Sequence, residues 1–188
     1  MDAASPLDVI LNIAGGHCLP RALHVIADSG VADALDEPMG VDALATASGT
    51  NVDALFRLLR LLSAHGLFEL DGDVVSHNEA SQMLRSDHPR SARGLARMFG
   101  LPPCWNSFER LDHSLRTGRP AAVQLYPDGL WAYFPENPEA GAIFDQAMTG
   151  KAAAQVASVV EAYDFSSFAT SSGGDSTLSS TPGRFFFI

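Results

Sequence analysis

The sequence is poor in cysteine. Its two cysteines, Cys18 and Cys104, lie far apart in a chain of 188 residues. A disulfide framework or a structural zinc site needs several cysteines, or cysteines and histidines, at short and regular spacings, and neither residue has such a neighbourhood. We therefore predict two reduced, structural thiols in a cytoplasmic protein.

Basic residues are also scarce. Twelve Lys and Arg stand against 22 Asp and Glu, which gives a formal net charge of −10. A polyanionic partner such as nucleic acid is disfavoured, because binding it relies on a surplus of positive charge. No apolar run is long enough to suggest a membrane span, and the N-terminus lacks the basic region and apolar core of a signal peptide. We expect a cytoplasmic protein with neither a nucleic-acid nor a membrane partner.

Motifs of catalysis and metal binding are missing as well. The six histidines show no His-x-x-x-His spacing, and each is typical of a surface or packing residue; they are His17, His24, His65, His77, His88 and His113. No serine lies in the glycine context of a nucleophile elbow, and Gly15-Gly16 is too short for a phosphate loop. We predict no catalytic residue and no metal ligand.

The most informative stretch present is residues 41–77. A helix that begins near residue 41 is stopped by Gly49, and Thr50 or Asn51 can cap the helix that follows. That second helix has an apolar face too wide for a surface helix, formed by Leu55, Phe56, Leu58, Leu59, Leu61 and Leu62. A strand, an Asp71-Gly72 turn and a second strand complete the pattern. Two helices, a turn and a hairpin predict a winged-helix-like core.

Helices are predicted on both sides of this core, so the fold class is mainly α with one small β-hairpin. Two amphipathic helices precede it, and the second should bury Leu19, Ala22, Leu23, Val25 and Ile26. After the core we expect helices over residues 78–84 and 91–101, one helix carrying Trp105, Phe108, Leu111 and Leu115, and an irregular stretch over 123–135. Asn137-Pro138-Glu139 starts a long linker helix that runs to about Tyr163, roughly 39 Å at 1.5 Å per residue. Residues 1–165 would form one domain, and the Ser/Thr/Gly-rich residues 166–188 a disordered tail.

The winged-helix pattern allows two functional interpretations. A DNA-binding helix needs basic and amide side chains on its exposed face, but this helix offers only Arg57 and Arg60 among leucines. The predicted wing carries Glu69, Asp71 and Asp73, which repel phosphates. The charge pattern therefore favours a structural role over DNA binding.

A set of aromatic and methionine side chains in the second half of the chain is also open to two interpretations. Its members are Trp105, Trp131, Tyr133, Phe134, Phe144 and Met148. They could line a pocket for a flat ligand, or they could be ordinary core residues, and spacing alone favours the core.

Six motifs in order point to a known family: PRALHV (20–25), GVADAL (30–35), DALFRLLRLL (53–62), GLF (66–68), FDQAM (144–148) and YDFS (163–166). With these, residues 6–170 resemble the N-terminal dimerisation domain of small-molecule O-methyltransferases that use S-adenosylmethionine. The family includes the plant caffeate and acetylserotonin enzymes and bacterial relatives that tailor natural products. The resemblance implies a helical domain that interlocks with a second copy and forms a lid over the acceptor pocket.

The resemblance also implies site residues and partners. It places Trp105, Phe144 and Met148 on the acceptor side of the lid, and S-adenosylmethionine is the cofactor of the parent family. The implied partners are a small aromatic acceptor and a second subunit, either a copy of this chain or a full-length paralogue. The parent reaction would methylate a hydroxyl, phenolic in type, on an aromatic natural product.

The chain departs from the family after the YDFS motif. Family members continue there into a strand and a glycine-rich cofactor turn, whereas Gly173, Gly174 and Asp175 are only a remnant of that turn without a Val/Ile-rich strand before it. We expect a chain truncated before the catalytic domain, binding no cofactor alone and inactive by itself. Two alternatives stay open: a non-catalytic dimeric module that regulates a full-length paralogue, and a winged-helix transcriptional regulator.

Overall fold

The computed structural model of the chain describes residues 5–162, and of residues 153–161 only the backbone. The helices are α1 Pro6–Gly15, α2 Cys18–Ser29, α3 Val31–Ala34, α4 Val41–Ser48, α5 Val52–Ser63, α6 Glu79–Gln82, α7 Arg93–Gly100, α8 Pro102–Glu109, α9 Leu111–Thr117, α10 Ala121–Leu125, α11 Leu130–Glu136 and α12 Pro138–Ala162, and the strands are β1 Met39–Gly40, β2 Glu69–Asp71 and β3 Val74–Ser76. The predicted mainly α class is confirmed. The predicted tail, with Gly173, Gly174 and Asp175, lies outside the described residues.

The helix–turn–helix forms as the sequence predicts. Gly49 closes α4 with φ at +66°, a left-handed conformation that favours glycine. Asn51, rather than Thr50, caps α5: its side-chain oxygen accepts the backbone N–H of Ala54 at 3.0 Å. Leu55, Leu59 and Leu62 of α5 are fully buried, so the wide apolar face of this helix is packed on several sides.

The hairpin carries a third strand that the sequence did not reveal. Asp71 pairs with Val74, so the turn consists of Gly72 and Asp73 instead of the predicted Asp71-Gly72. β1 pairs antiparallel with β3, giving the strand order β1-β3-β2. A strand of two residues is too short to show an alternating pattern, which explains why it was missed.

The main core lies between α2 to α5 and the sheet. It contains Ile26, Val31, Leu35, Leu44, Leu55, Leu59, Leu62, Phe68 and Val75. The prediction that Val25 is buried is wrong, because 42% of this residue is exposed. Its sequence neighbour His24 is buried instead. α2 packs on both α5 and α7, and this arrangement leaves Val25 on the outer side.

A second, smaller core joins α7 to α12. Met98 on α7 meets Ile143 and Ala147 on α12, and the backbones of the two helices nearly touch at Gly94. A Cβ atom on Gly94 would lie 2.9 Å from the backbone nitrogen of Ala147. α12 therefore crosses α7 at a fixed point, and the predicted long helix is confirmed in position and length.

Two predictions between residues 105 and 135 are wrong. The single helix expected from Trp105 to Leu115 is broken at Arg110 into α8 and α9, where φ is −104° and ψ is 20°. Its expected apolar face is largely exposed, with 88% of Leu115 accessible. The stretch expected to be irregular contains α10 and α11. Such short helices follow packing between neighbours more than their own periodicity, which is why the sequence pattern misplaced them.

The N-terminal segment bears on the membrane prediction. Pro6–Ser29 is long and apolar enough to cross a membrane by length and composition, contrary to the expectation that no run would be. This is weak evidence, because core helices of soluble proteins and signal sequences share these properties. Half of it, α1, has no buried residue in the monomer.

Candidate functional site

An aromatic cluster joins α10, α11 and α12. It comprises Tyr126, Trp131, Tyr133, Phe134 and Phe144, linked by ring contacts. The rings of Phe134 and Phe144 lie 4.9 Å apart between centroids, and Trp131 meets Phe144 edge-on at 5.7 Å. Trp131 is 73% exposed. A large indole held by neighbouring rings but open to solvent offers a surface on which another flat ring can stack.

Two of the three predicted acceptor residues lie at this cluster. Phe144 is a member, and Met148 lies one helical turn further along α12. Both side chains are half-buried and pack on the core formed by Met98, Ile143 and Ala147. The core interpretation of the sequence pattern therefore holds for one side of each residue, and the acceptor-facing role of both stays a prediction.

The third predicted residue, Trp105, lies elsewhere. Its indole meets the ring of His24 edge-on at 5.2 Å, and the guanidinium of Arg21 lies over it, 5.2 Å from the ring centroid. Within residues 5–162 no ring contact joins Trp105 to the aromatic cluster. The structure therefore brings Phe144 and Met148 together and leaves Trp105 at the contact between α8 and α2.

A cleft of about 530 Å³ opens between α2, the α7–α8 junction and the start of α12. None of the three predicted acceptor residues lines it. Arg97 reaches across one side, with its guanidinium 2.7 Å from Asp28 on α2 and 3.3 Å from Glu139 on α12. The wall also includes Arg21, for which the sequence predicted no role in a site, and His24, which the sequence pattern predicted to be a surface or packing histidine. Arg97 thus ties three helices together around the cleft.

His24 is the unusual group at this cleft. Only 6% of the residue is exposed, and within the described part of the chain its buried Nδ1 has no hydrogen-bond partner. Burial lowers the pKa of His24, and the nearby positive charge of Arg21 lowers it further. The imidazole is therefore neutral at pH 7. A lone histidine in an apolar pattern gives no sequence signal for such a position.

The first helix exposes a large apolar surface. Leu7, Ile10, Leu11 and Ile13 of α1 are each more than half exposed, and the capping box of Ser5 and Asp8 makes the helix well defined at its start. Several exposed apolar side chains on one helix are unusual in a monomer and are typical of a surface that contacts another protein.

The remaining candidate chemistries gain no support from geometry. Within residues 5–162 no group of three His, Cys, Asp or Glu side chains is arranged to hold a metal ion. Both cysteines are free, Cys18 exposed and Cys104 buried. On α5 the guanidinium of Arg57 bonds its own helix at the Asp53 carbonyl, and Arg60 lies over Phe56.

Comparison with known proteins agrees with this fold. Residues 11–87 match the family model described as the O-methyltransferase dimerisation domain. A mitomycin biosynthesis 6-O-methyltransferase from Streptomyces lavendulae is 34% identical over 170 residues, which cover 89% of this chain and 49% of that protein. A phenazine O-methyltransferase from Lysobacter antibioticus is 31% identical, with 89% and 50% covered.

A solved structure shows the same relation. The methyltransferase of calicheamicin biosynthesis, in its SAH-bound form, superposes with a TM-score of 0.76 at 32% identity over 87% of this chain and 50% of that one. The chain spans about half the length of the relatives it matches. By sequence and by fold, the chain belongs to the O-methyltransferase dimerisation-domain family, together with bacterial O-methyltransferases of natural-product biosynthesis.

Proposed function

We propose that this chain is the homodimerising and acceptor-covering part of an S-adenosylmethionine-dependent O-methyltransferase that acts on a hydroxyl of an aromatic natural product. The observation that carries the proposal is the aromatic cluster with its exposed Trp131. The phenazine acceptor named for one relative is itself a flat aromatic molecule, which supports an aromatic acceptor here.

In this function the chain binds the acceptor and excludes water from it, and it takes no part in making or breaking bonds. The rings of Trp131 and Phe144 would hold a flat acceptor by stacking, and Met148 would fill the space beside it. A covered acceptor reacts faster because its hydroxyl is held in one orientation and is shielded from water. S-adenosylmethionine supplies the methyl group in the parent enzyme. The predicted remnant of its binding turn lies outside the described residues.

The acceptor role is tested with 1-naphthol as a flat phenol and cyclohexanol as a non-aromatic control. We expect 1-naphthol to quench the fluorescence of the chain in a saturable manner, and Phe144→Leu to weaken this binding because the edge contact with Trp131 is lost. Trp105→Phe is the matched variant, since Trp105 lies away from the cluster. Equal quenching by 1-naphthol and cyclohexanol would contradict the proposal. An equal loss of 1-naphthol binding in Phe144→Leu and Trp105→Phe would contradict it as well.

The dimer is tested by sedimentation at micromolar concentration. We expect a dimer, and we expect Ile10→Glu combined with Leu11→Glu to give a monomer, because charges on α1 would have to be buried against the second copy. Asn12→Glu is the control, since it adds a charge to the same helix at an exposed polar position. A wild-type monomer would argue against homodimerisation, and a complex with a full-length paralogue would favour the regulatory alternative.

We further propose that the 188-residue polypeptide does not transfer methyl groups by itself. Detection of methylated 1-naphthol after incubation of the purified chain with S-adenosylmethionine would refute this proposal. The transcriptional alternative would gain support from salt-sensitive binding to duplex DNA. We expect no such binding, because the wing carries Glu69, Asp71 and Asp73.

A further inference from the structure

The contact between α8 and α2 depends on a small group of residues, which we call the Trp105 latch: Arg21, His24, Gly100 and Trp105. The imidazole of His24 meets the indole edge-on, and Arg21 covers the indole and donates to the carbonyl of Gly100 at 3.3 Å. A Cβ atom on Gly100 would lie 2.8 Å from the Cβ of His24, so the α7–α8 junction lies directly against the imidazole. The latch is therefore closely packed around one titratable ring.

The latch contains no group that could balance the positive charge of a protonated His24. Nδ1 of His24 is buried without a hydrogen-bond partner in the described residues, and the nearby charge that acts on the imidazole is the cation Arg21. An imidazolium at this place would be desolvated and would face a like charge. The closed latch therefore opposes protonation of His24, whereas an open latch permits it.

Two of the three carboxylates that line the cleft with His24 are already paired. The charged or titratable side chains that line the cleft with His24 are Arg21 and Asp28 on α2, Arg97 on α7, Tyr133 and Glu136 on α11, and Glu139 on α12. The carboxylates of Asp28 and Glu139 already pair with Arg97. Of the other elements packed near His24, α8 contributes the buried thiol of Cys104 beside Trp105, and α5 directs Arg57 and Arg60 onto its own residues.

We propose that the Trp105 latch is a pH-sensitive switch, in which protonation of His24 separates Trp105 from α2 and releases α8. In the closed form, at neutral pH, the neutral imidazole packs against the indole. In the open form, the imidazolium reaches water through the cleft and the indole leaves its place beneath Arg21. The switch does not depend on the proposed function, because no ring contact in the described residues joins Trp105 to the aromatic cluster.

Cys104 provides a direct readout, because it precedes Trp105 on α8 and is only 6% exposed. The experiment uses the 188-residue chain with Cys18→Ser, so that Cys104 is the remaining thiol. Its reaction with 4,4′-dithiodipyridine, a reagent that also works in acid, is measured between pH 8 and pH 5. Each rate is divided by the rate of the urea-unfolded chain at the same pH, and circular dichroism follows the helix content.

We expect the normalised rate to rise about tenfold as the pH falls below about 6.5, the pKa of an unperturbed histidine. His24→Phe keeps a ring against the indole but cannot be protonated, so its rate should stay low and flat. Trp105→Ala should react fast at every pH. His77→Gln is the matched control, because His77 is the other histidine whose pKa is lowered by burial and should not affect Cys104.

Each outcome decides the proposal. A rise in the wild type and in His77→Gln, absent in His24→Phe, supports the switch. A flat wild-type profile overturns it. The same rise in His24→Phe also overturns it, because exposure of Cys104 would then follow from general acid unfolding rather than from the latch.

Discussion

The contact between α7 and α12 at Gly94 predicts a large effect of the smallest possible substitution. In Gly94→Ala, the added methyl group would lie 2.9 Å from the nitrogen of Ala147 and 3.0 Å from the carbonyl carbon of Gln146. Both atoms belong to the backbone of α12, so they cannot move aside as a flexible side chain would. Overpacking of this kind costs about 1–3 kcal/mol. The higher helix propensity of alanine returns about 1 kcal/mol.

The net expectation is a loss of up to about 2 kcal/mol in the free energy of unfolding, or a fall of up to about 8 °C in Tm for a chain of this length. The assay is thermal unfolding followed by circular dichroism, at a fixed protein concentration because a dimer makes Tm depend on concentration. We also expect the emission of Trp131 to change, since a displaced α12 moves Phe144 away from it.

The matched control is Gly15→Ala. Gly15 is also a helical glycine, but a Cβ there would meet nothing within 4 Å. This variant should be as stable as the wild type or slightly more so, because only helix propensity acts. If Gly94→Ala were as stable as Gly15→Ala, the backbone contact between the two helices would not be as close as the structure has it, and the reasoning would be refuted.

Two further predictions concern a helix cap and the pH dependence of stability. Asn51→Ala removes the side-chain oxygen that accepts the N–H of Ala54, and should lower the free energy of unfolding by about 1 kcal/mol in urea titrations, whereas Asn51→Asp should not. Burial lowers the pKa of both His24 and His77, so the unfolded chain binds more protons than the folded one below about pH 6.5. The free energy of unfolding should therefore be constant above that pH and decline as the pH falls below it, and His24→Phe should reduce the decline. A stability that rises on acidification to pH 5 would contradict this sign.

Much of the fold was predictable where one local signal determined an element. Gly49 and Asn51 fix the boundary between α4 and α5, because a left-handed glycine and a side-chain cap act within a few residues. The start of α12 at Pro138 is equally local. In contrast, β1 and the helices between residues 102 and 136 depend on what packs against them, and their own sequence pattern does not contain that information.

The site was predictable only in part, for a related reason. Phe144 and Met148 lie one turn apart on one helix, so their common location follows from helical spacing. Trp105 and His24 are 81 positions apart, and nothing in either neighbourhood predicts that their rings meet. The resemblance to methyltransferases groups Trp105 with Phe144 and Met148 as acceptor-facing residues, which stays a prediction; in the structure its indole packs from α8 against His24 and Arg21 of α2.

The side chains of α5 and α1 bear on the choice between a protein partner and DNA. A recognition helix uses the side chains of its exposed face to contact bases, whereas the two arginines on the exposed face of α5 contact residues of the same helix. Leu7, Ile10, Leu11 and Ile13 of α1, at the start of the described chain, are instead each more than half exposed. Because apolar area drives association between proteins and adds little to phosphate binding, the distribution of side chains favours a protein partner over a nucleic acid.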